Sequence, residues 1–170
     1  SDAVRSLADE KLEVLVIPPD LLDKLKTKAS WKKLVDSGKV RFSSLQYLSV
    51  KPLQVKAVSD TEERITVTLD NYVLLSPDNV PLDDEDKEKL SALIARDPLA
   101  LVEYWSVDPD YDGEVFRSRW QDYRENEAND KDPFHVVREA EIIVPKKTGR
   151  KVCVKAVDVF GFESVVIQEV

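Results

Sequence analysis

The sequence predicts an α+β fold: a small N-terminal part of strands and helices, then an antiparallel β-sandwich-like sheet, with one helix near residues 84–96. Three observations lead there. Apolar residues alternate with polar ones at Leu53, Val55 and Ala57 and again at Ile65, Val67 and Leu69, the period of a half-buried strand. From position 99 onward, short β-branched runs are separated by turn residues. Between these regions, Lys87, Leu90, Leu93 and Ile94 continue a helical face behind an acidic run. Residues 1–98, with the hairpin, and 99–170 read as two parts, either separate or over one shared core.

Taken in order, residues 1–11 are polar and linker-like. Glu13 to Ile17 is a short buried strand ended by Pro18-Pro19, because proline offers no N–H to a ladder. The same prolines open a helix with Asp20 in its first turn and Leu21, Leu22 and Leu25 on one face. Ser30 caps a second helix carrying Trp31, Leu34 and Val35, closed by Gly38. The alternating pair forms a hairpin around Ser59 to Glu63. Ser76 to Pro81 is a loop. Asp83-Asp84-Glu85-Asp86 reads as a negatively charged helix start rather than a cation site, and Asp97-Pro98 stops that helix. Leu99 to Val107, His135 to Val144, Lys151 to Val159 and Ser164 to Val170 are strands. Expected core residues are Val14, Val16, Leu22, Leu34, Phe42, Val55, Ile65, Val67, Leu93, Trp105, Phe116, Trp120, Ile142, Val154 and Val157.

Composition narrows the function. A charged fraction of 34% beside 42% apolar residues describes a folded, soluble chain. A net charge of −8 argues against unaided binding to duplex DNA, whose affinity comes largely from cations on phosphates. No apolar run approaches the ~20 residues that cross a bilayer, so no membrane partner is expected. Met is absent and no secretory signal opens the chain, which reads as a piece of something longer. The single cysteine, Cys153, rules out an internal disulfide and fits a cytoplasmic setting.

Functional signals concentrate in Tyr104 to Arg124. Asp108-Pro109-Asp110-Tyr111-Asp112-Gly113 has the alternate carboxylates and turn glycine of a calcium loop, with Glu114 as a further ligand. Its twelfth position is Arg119 where an EF-hand needs glutamate, so calcium would have to bind in a non-EF manner; the bland reading is a solvated turn. Arg117, Arg119, Trp120, Tyr123 and Arg124 mix aromatic and basic groups, the makeup of an interface or a nucleic-acid surface, although Trp120 also suits a core. Lys146, Lys147, Arg150 and Lys151 form a basic hairpin tip; most such tips are solvated loops, and if any part of the chain meets DNA phosphate this is the first place to expect it. His135 and Cys153 lack companions for a zinc site or a catalytic triad. Asp108-Pro109-Asp110-Tyr111 differs from the Asp-Pro-Pro-Tyr tetrad of amino-methyltransferases at its third position, and no G-x-G cofactor loop accompanies it.

Val152 to Val159, followed by Phe160-Gly161, resembles the late strand of immunoglobulin-like and polycystic-kidney-disease-type sandwiches. A wider pattern joins Val102 to Phe116, Trp120-Gln121-Asp122-Tyr123-Arg124 and Val154 to Gly161. In that order these segments resemble the C-terminal region of large bacterial site-specific adenine DNA methyltransferases, similar to the modification subunits of type III restriction-modification systems. Phe162 departs from the short polar residue common there. The resemblance implies a noncatalytic accessory domain that contributes to target recognition, subunit docking or dimerisation. Its partners would be other domains of the parent or a restriction subunit, with DNA reached through the parent. Catalytic residues and the S-adenosylmethionine site would lie elsewhere in that parent, so this chain holds no cofactor of its own. The alternative is a calcium-stabilised β-sandwich binding module built on Asp108, Asp110 and Asp112.

Overall fold

The computed structural model describes residues 46–74 and 82–170. The strand expected at 13–17, the helices after Pro18 and Ser30, the loop at 76–81, and core positions Val14, Val16, Leu22, Leu34 and Phe42 lie outside the described residues. The strands are β1 (Gln46–Val50), β2 (Gln54–Ala57), β3 (Glu62–Leu74), β4 (Val102–Asp108), β5 (Trp120–Tyr123), β6 (Glu139–Pro145), β7 (Lys151–Asp158) and β8 (Glu163–Glu169). Among the described residues between β3 and β4 lie one helix, α1 (Asp84–Arg96), and a 3-10 turn (Pro98–Leu101).

Two antiparallel sheets result. In the first, β1 and β2 run as one interrupted strand along one side of β3, with Val50 opposite Leu69 and Gln54 opposite Thr66. On the other side of β3 lies β6, with Ile142 opposite Ile65. The second sheet has the order β5-β4-β7-β8. Because β6 pairs with β3, sequence on both sides of position 98 builds one sheet and one core among the described residues.

That core joins Leu48, Ile65, Val67 and Tyr72 of the first sheet to Trp105, Val107, Val154 and Ala156 of the second. Leu90 and Leu93 seal it from α1. Trp105 is fully buried; its Nε1 donates to the Val137 carbonyl at 2.7 Å, and its ring meets that of Trp120 at 4.5 Å between centroids. Of the expected core residues, Trp120 and Ile142 are half-buried and packed against this cluster, and three sit further out. Val55 is 40% exposed, because β2 is the outermost strand beside β3 and every one of its residues faces solvent. Val157 and Phe116 are half-buried, Phe116 lying against the Lys155 ammonium at 4.9 Å.

The helix begins where an acidic N-cap predicts. Asp83 accepts from the Asp86 N–H at 2.8 Å, and Asp84, Glu85 and Asp86 occupy the first turn, where the helix dipole favours negative charge. The expected strand from Leu99 opens instead as the 3-10 turn, with the Ala100 N–H donating to the Asp97 carbonyl at 3.0 Å. Strand β6 starts at Glu139 rather than His135. Val137 is unavailable to a ladder, since its N–H goes to Asp122 Oδ2 at 2.6 Å and its carbonyl to Trp105.

Asp158, at the end of β7, ties the two sheets together. It accepts from the Tyr72 hydroxyl of the first sheet and from the Phe160 and Phe162 N–H groups, at 2.9 and 3.0 Å, of its own turn. Gly161 completes that turn at φ +89, a conformation that side chains resist. Burial pushes the Asp158 carboxyl above its ordinary value, outweighing the hydrogen bonds that pull it down, and burial likewise raises the Tyr72 phenol.

Folded Asp158 therefore keeps its proton to higher pH than the unfolded chain does. Its contribution is complete below the unfolded carboxylate value, ~3.9, and is lost as pH rises through the raised folded value. Asp158→Asn removes this titration. The unfolding free energy of the parent minus that of the variant, from urea titrations, is expected to fall with rising pH across that window. A flat difference would show that Asp158 titrates normally.

Candidate functional site

The segment 109–119 leaves the end of β4, folds back along the sheet and returns as β5. Asp108 anchors it. This carboxylate is only 2% exposed; Oδ1 accepts from the Asp110 N–H at 3.0 Å and Oδ2 from the Arg117 N–H at 2.7 Å. Asp112 caps the next turn, with Oδ1 accepting from the Glu114 and Val115 N–H groups at 2.8 Å each. Its Oδ2 meets Arg117 Nη1 at 2.6 Å. Asp110 points the other way, to Lys147 Nζ at 2.6 Å. Glu114 is exposed.

The three alternating aspartates thus serve three different sets of partners. Hydrogen bonding from Arg117 holds the Asp112 carboxyl far below the usual carboxylate range, and that from Lys147 lowers Asp110. Among the described residues, no three His, Cys, Asp or Glu side chains are grouped to hold one metal ion.

The aromatic-basic cluster divides in a similar way. Arg124 is buried. Its Nε pairs with Glu103 at 2.9 Å, and its remaining nitrogens donate to the carbonyls of Ala100, Val102 and Phe134. The guanidinium is consumed in closing the 3-10 turn against the segment before β6. Trp120 is half-buried against Trp105. Tyr123 is exposed, opposite Tyr104 on β4. Arg117 is exposed but paired with Asp112.

Arg119, by contrast, joins the basic hairpin tip. Arg119, Lys146, Lys147 and Arg150, with Asp110, line a cleft of about 530 Å³. Its apolar wall is Ile142, Ile143, Val144 and Pro145 of β6, faced by Pro109. Lys151 is exposed at the start of β7, beside the cleft and not among its lining residues. Arg150 is 2% exposed and holds the cleft together from within. It donates to the carbonyls of Pro109, at 3.0 Å, and Pro145. Its Nε faces Glu63 at 3.5 Å, an ion pair without hydrogen-bond geometry. Sequence reading picks out the cations of this cleft but misses its wall, because Ile143 looks like any strand residue until β6 is seen at the open end.

His135 pairs through Nδ1 with Asp132 at 2.9 Å. Cys153 is buried opposite Asp108 and Ile167, and burial raises its thiol pKa, which keeps it protonated.

No protein-family model, curated protein or solved structure matches the chain. No helix among the described residues is long and apolar enough to cross a membrane.

Asp108→Ala leaves the N–H groups of Asp110 and Arg117 without their acceptor. The expected loss is about 1–3 kcal/mol of stability, with faster hydrogen exchange at the Arg117 amide. Unchanged exchange would mean the loop is held by other contacts. Calcium is expected to leave the melting temperature unmoved, since Asp110 and Asp112 are engaged by Lys147 and Arg117. A saturable rise, lost in both Asp110→Ala and Asp112→Ala, would assign the loop to a cation instead.

Proposed function

We propose that this chain is a noncatalytic accessory domain of a DNA-modifying protein of the adenine-methyltransferase, restriction-modification type. Its role is to contribute to target recognition, subunit docking or dimerisation in a cytoplasmic parent. The observation that supports this reading is spatial. Of the three segments that carry the resemblance, the third lies far along the sequence from the first two, yet all are adjacent in the second sheet: β4 pairs with β5 on one side and with β7 on the other. Their most distinctive residues are buried and structural. Trp105 fills the core, Asp108 and Asp158 anchor turns, and Arg124 holds carbonyls. A pattern used up in building a sheet suits a domain that presents a surface rather than one that performs a reaction.

The finer fold assignment, an immunoglobulin- or polycystic-kidney-disease-like sandwich, belongs to the same proposal. It is supported by the two antiparallel sheets and by the Asp158-anchored turn through Gly161. The acidic balance of −8 favours protein contact over duplex binding for most of the surface.

The isolated chain is expected to bind no S-adenosylmethionine and transfer no methyl group. Removing the whole segment from its parent is expected to lower DNA methylation or subunit assembly by about tenfold, with S-adenosylmethionine affinity unchanged. Calorimetry and radiolabelled methyl transfer measure these. Cofactor binding by the isolated chain, or a parent fully active and assembled without the segment, refutes the reading.

A further inference from the structure

We propose that the cleft between the end of β4 and the end of β6 binds a nucleotide unit, with its phosphate on Arg119 and Lys146. Charge is the first reason. The protein carries −8 overall, yet the cleft lining sets Arg119, Lys146, Lys147 and Arg150 against Asp110, and with Glu63 paired to Arg150 the cations still outnumber the carboxylates. A local positive potential on an acidic molecule draws anions to that place.

The disposition of those cations is the second reason. Arg150 is buried and committed to Pro109, Pro145 and Glu63, so it shapes the floor. Lys147 is paired with Asp110. The side chains of Arg119 and Lys146 are exposed and form no hydrogen bond or ion pair with other described residues. An arginine fork and a lysine ammonium lining one cleft suit the oxygens of a phosphate, the arginine contributing paired donors and the lysine a compact charge.

Shape supplies the third reason. A volume of about 530 Å³ falls within the range of small-ligand sites and suits a single nucleotide, not a duplex. Ile143, 52% exposed on the β6 wall, and Pro109 across from it offer apolar surface to a base. The same chemistry is met by a free nucleotide or by one unit of a single-stranded nucleic acid. The cleft would take either one whatever the chain is attached to.

The test uses the full 170-residue chain with three probes: adenosine monophosphate, a ten-residue oligothymidylate, and a glutamate-rich peptide. Binding is followed by calorimetry and by shifts of the backbone amides. Adenosine monophosphate or the oligonucleotide is expected to bind, shifting amides in 109–119 and 142–150. Arg119→Ala and Lys146→Ala should each weaken binding about tenfold, and for the oligonucleotide each should reduce the salt slope by about 0.7. Asp110→Asn should tighten binding, a gain that damage to the fold cannot mimic. Glu88→Ala, exposed on α1 outside the cleft lining, should change nothing. Oligonucleotide binding without nucleotide binding would identify single-stranded nucleic acid as the source, and the reverse a free nucleotide. Binding of the glutamate peptide alone, or of no probe at millimolar concentration, overturns the assignment. Neither result bears on the parent's methylation, so this assignment and the accessory-domain reading can fail separately.

Discussion

A carboxylate removed from water needs hydrogen-bond donors, and among the described residues three meet that requirement in one manner. Asp108, Asp122 and Asp158 are each no more than 2% exposed, and each stands at or near the end of a strand of the second sheet. Each collects N–H groups from the irregular segment that follows. Asp108 takes those of Asp110 and Arg117 and so holds the loop to β5. Asp122 takes the Val137 N–H and the side-chain amides of Asn126 and Asn129, ordering the long connection to β6. Asp158 takes Phe160 and Phe162, and the Tyr72 hydroxyl across the core. Unpaired, any of the three would cost several kcal/mol; paired, each converts a floppy connection into a placed one.

Two buried arginines complete the scheme with the opposite sign. Arg124 and Arg150 each donate to backbone carbonyls of more than one segment, and each has a glutamate nearby for charge. The guanidinium suits this task because its donors spread in a plane and reach several carbonyls at once. Turns and sheet ends are therefore settled by charged side chains, while Trp105, Val107 and Val154 supply the apolar interior.

This division explains what the sequence discloses. Local rules were enough for α1, whose cap, acidic first turn and Asp97-Pro98 stop all lie within one short window. They were enough for β7 and β8 as well, where valines alternate around a glycine turn. They failed for Arg124, because its acceptors at Ala100, Val102 and Phe134 are gathered only when three segments meet. They failed for Val55, whose period-two setting is that of a buried strand but whose strand lies at an edge. Alternate aspartates after β4 carried a further ambiguity. Period two places side chains on one face only in an extended strand, and 109–118 is a loop, so Asp108, Asp110 and Asp112 diverge.

The same constraint locates the cleft. Where β4, β6 and the start of β7 run out together stand Pro109, just past β4, and Pro145, the last residue of β6 and opposite Glu62, and proline gives neither an N–H to offer. Arg150 answers by donating to both carbonyls from inside. A buried cation at that corner leaves little room for more apolar packing, and the residues that surround it, Arg119, Lys146 and Lys147, are left at the rim. The positive cleft is thus a consequence of how the sandwich-like sheets end. Glu63 meets Arg150 and Asp110 meets Lys147, so the charge left at the basic corner is that of Arg119 and Lys146.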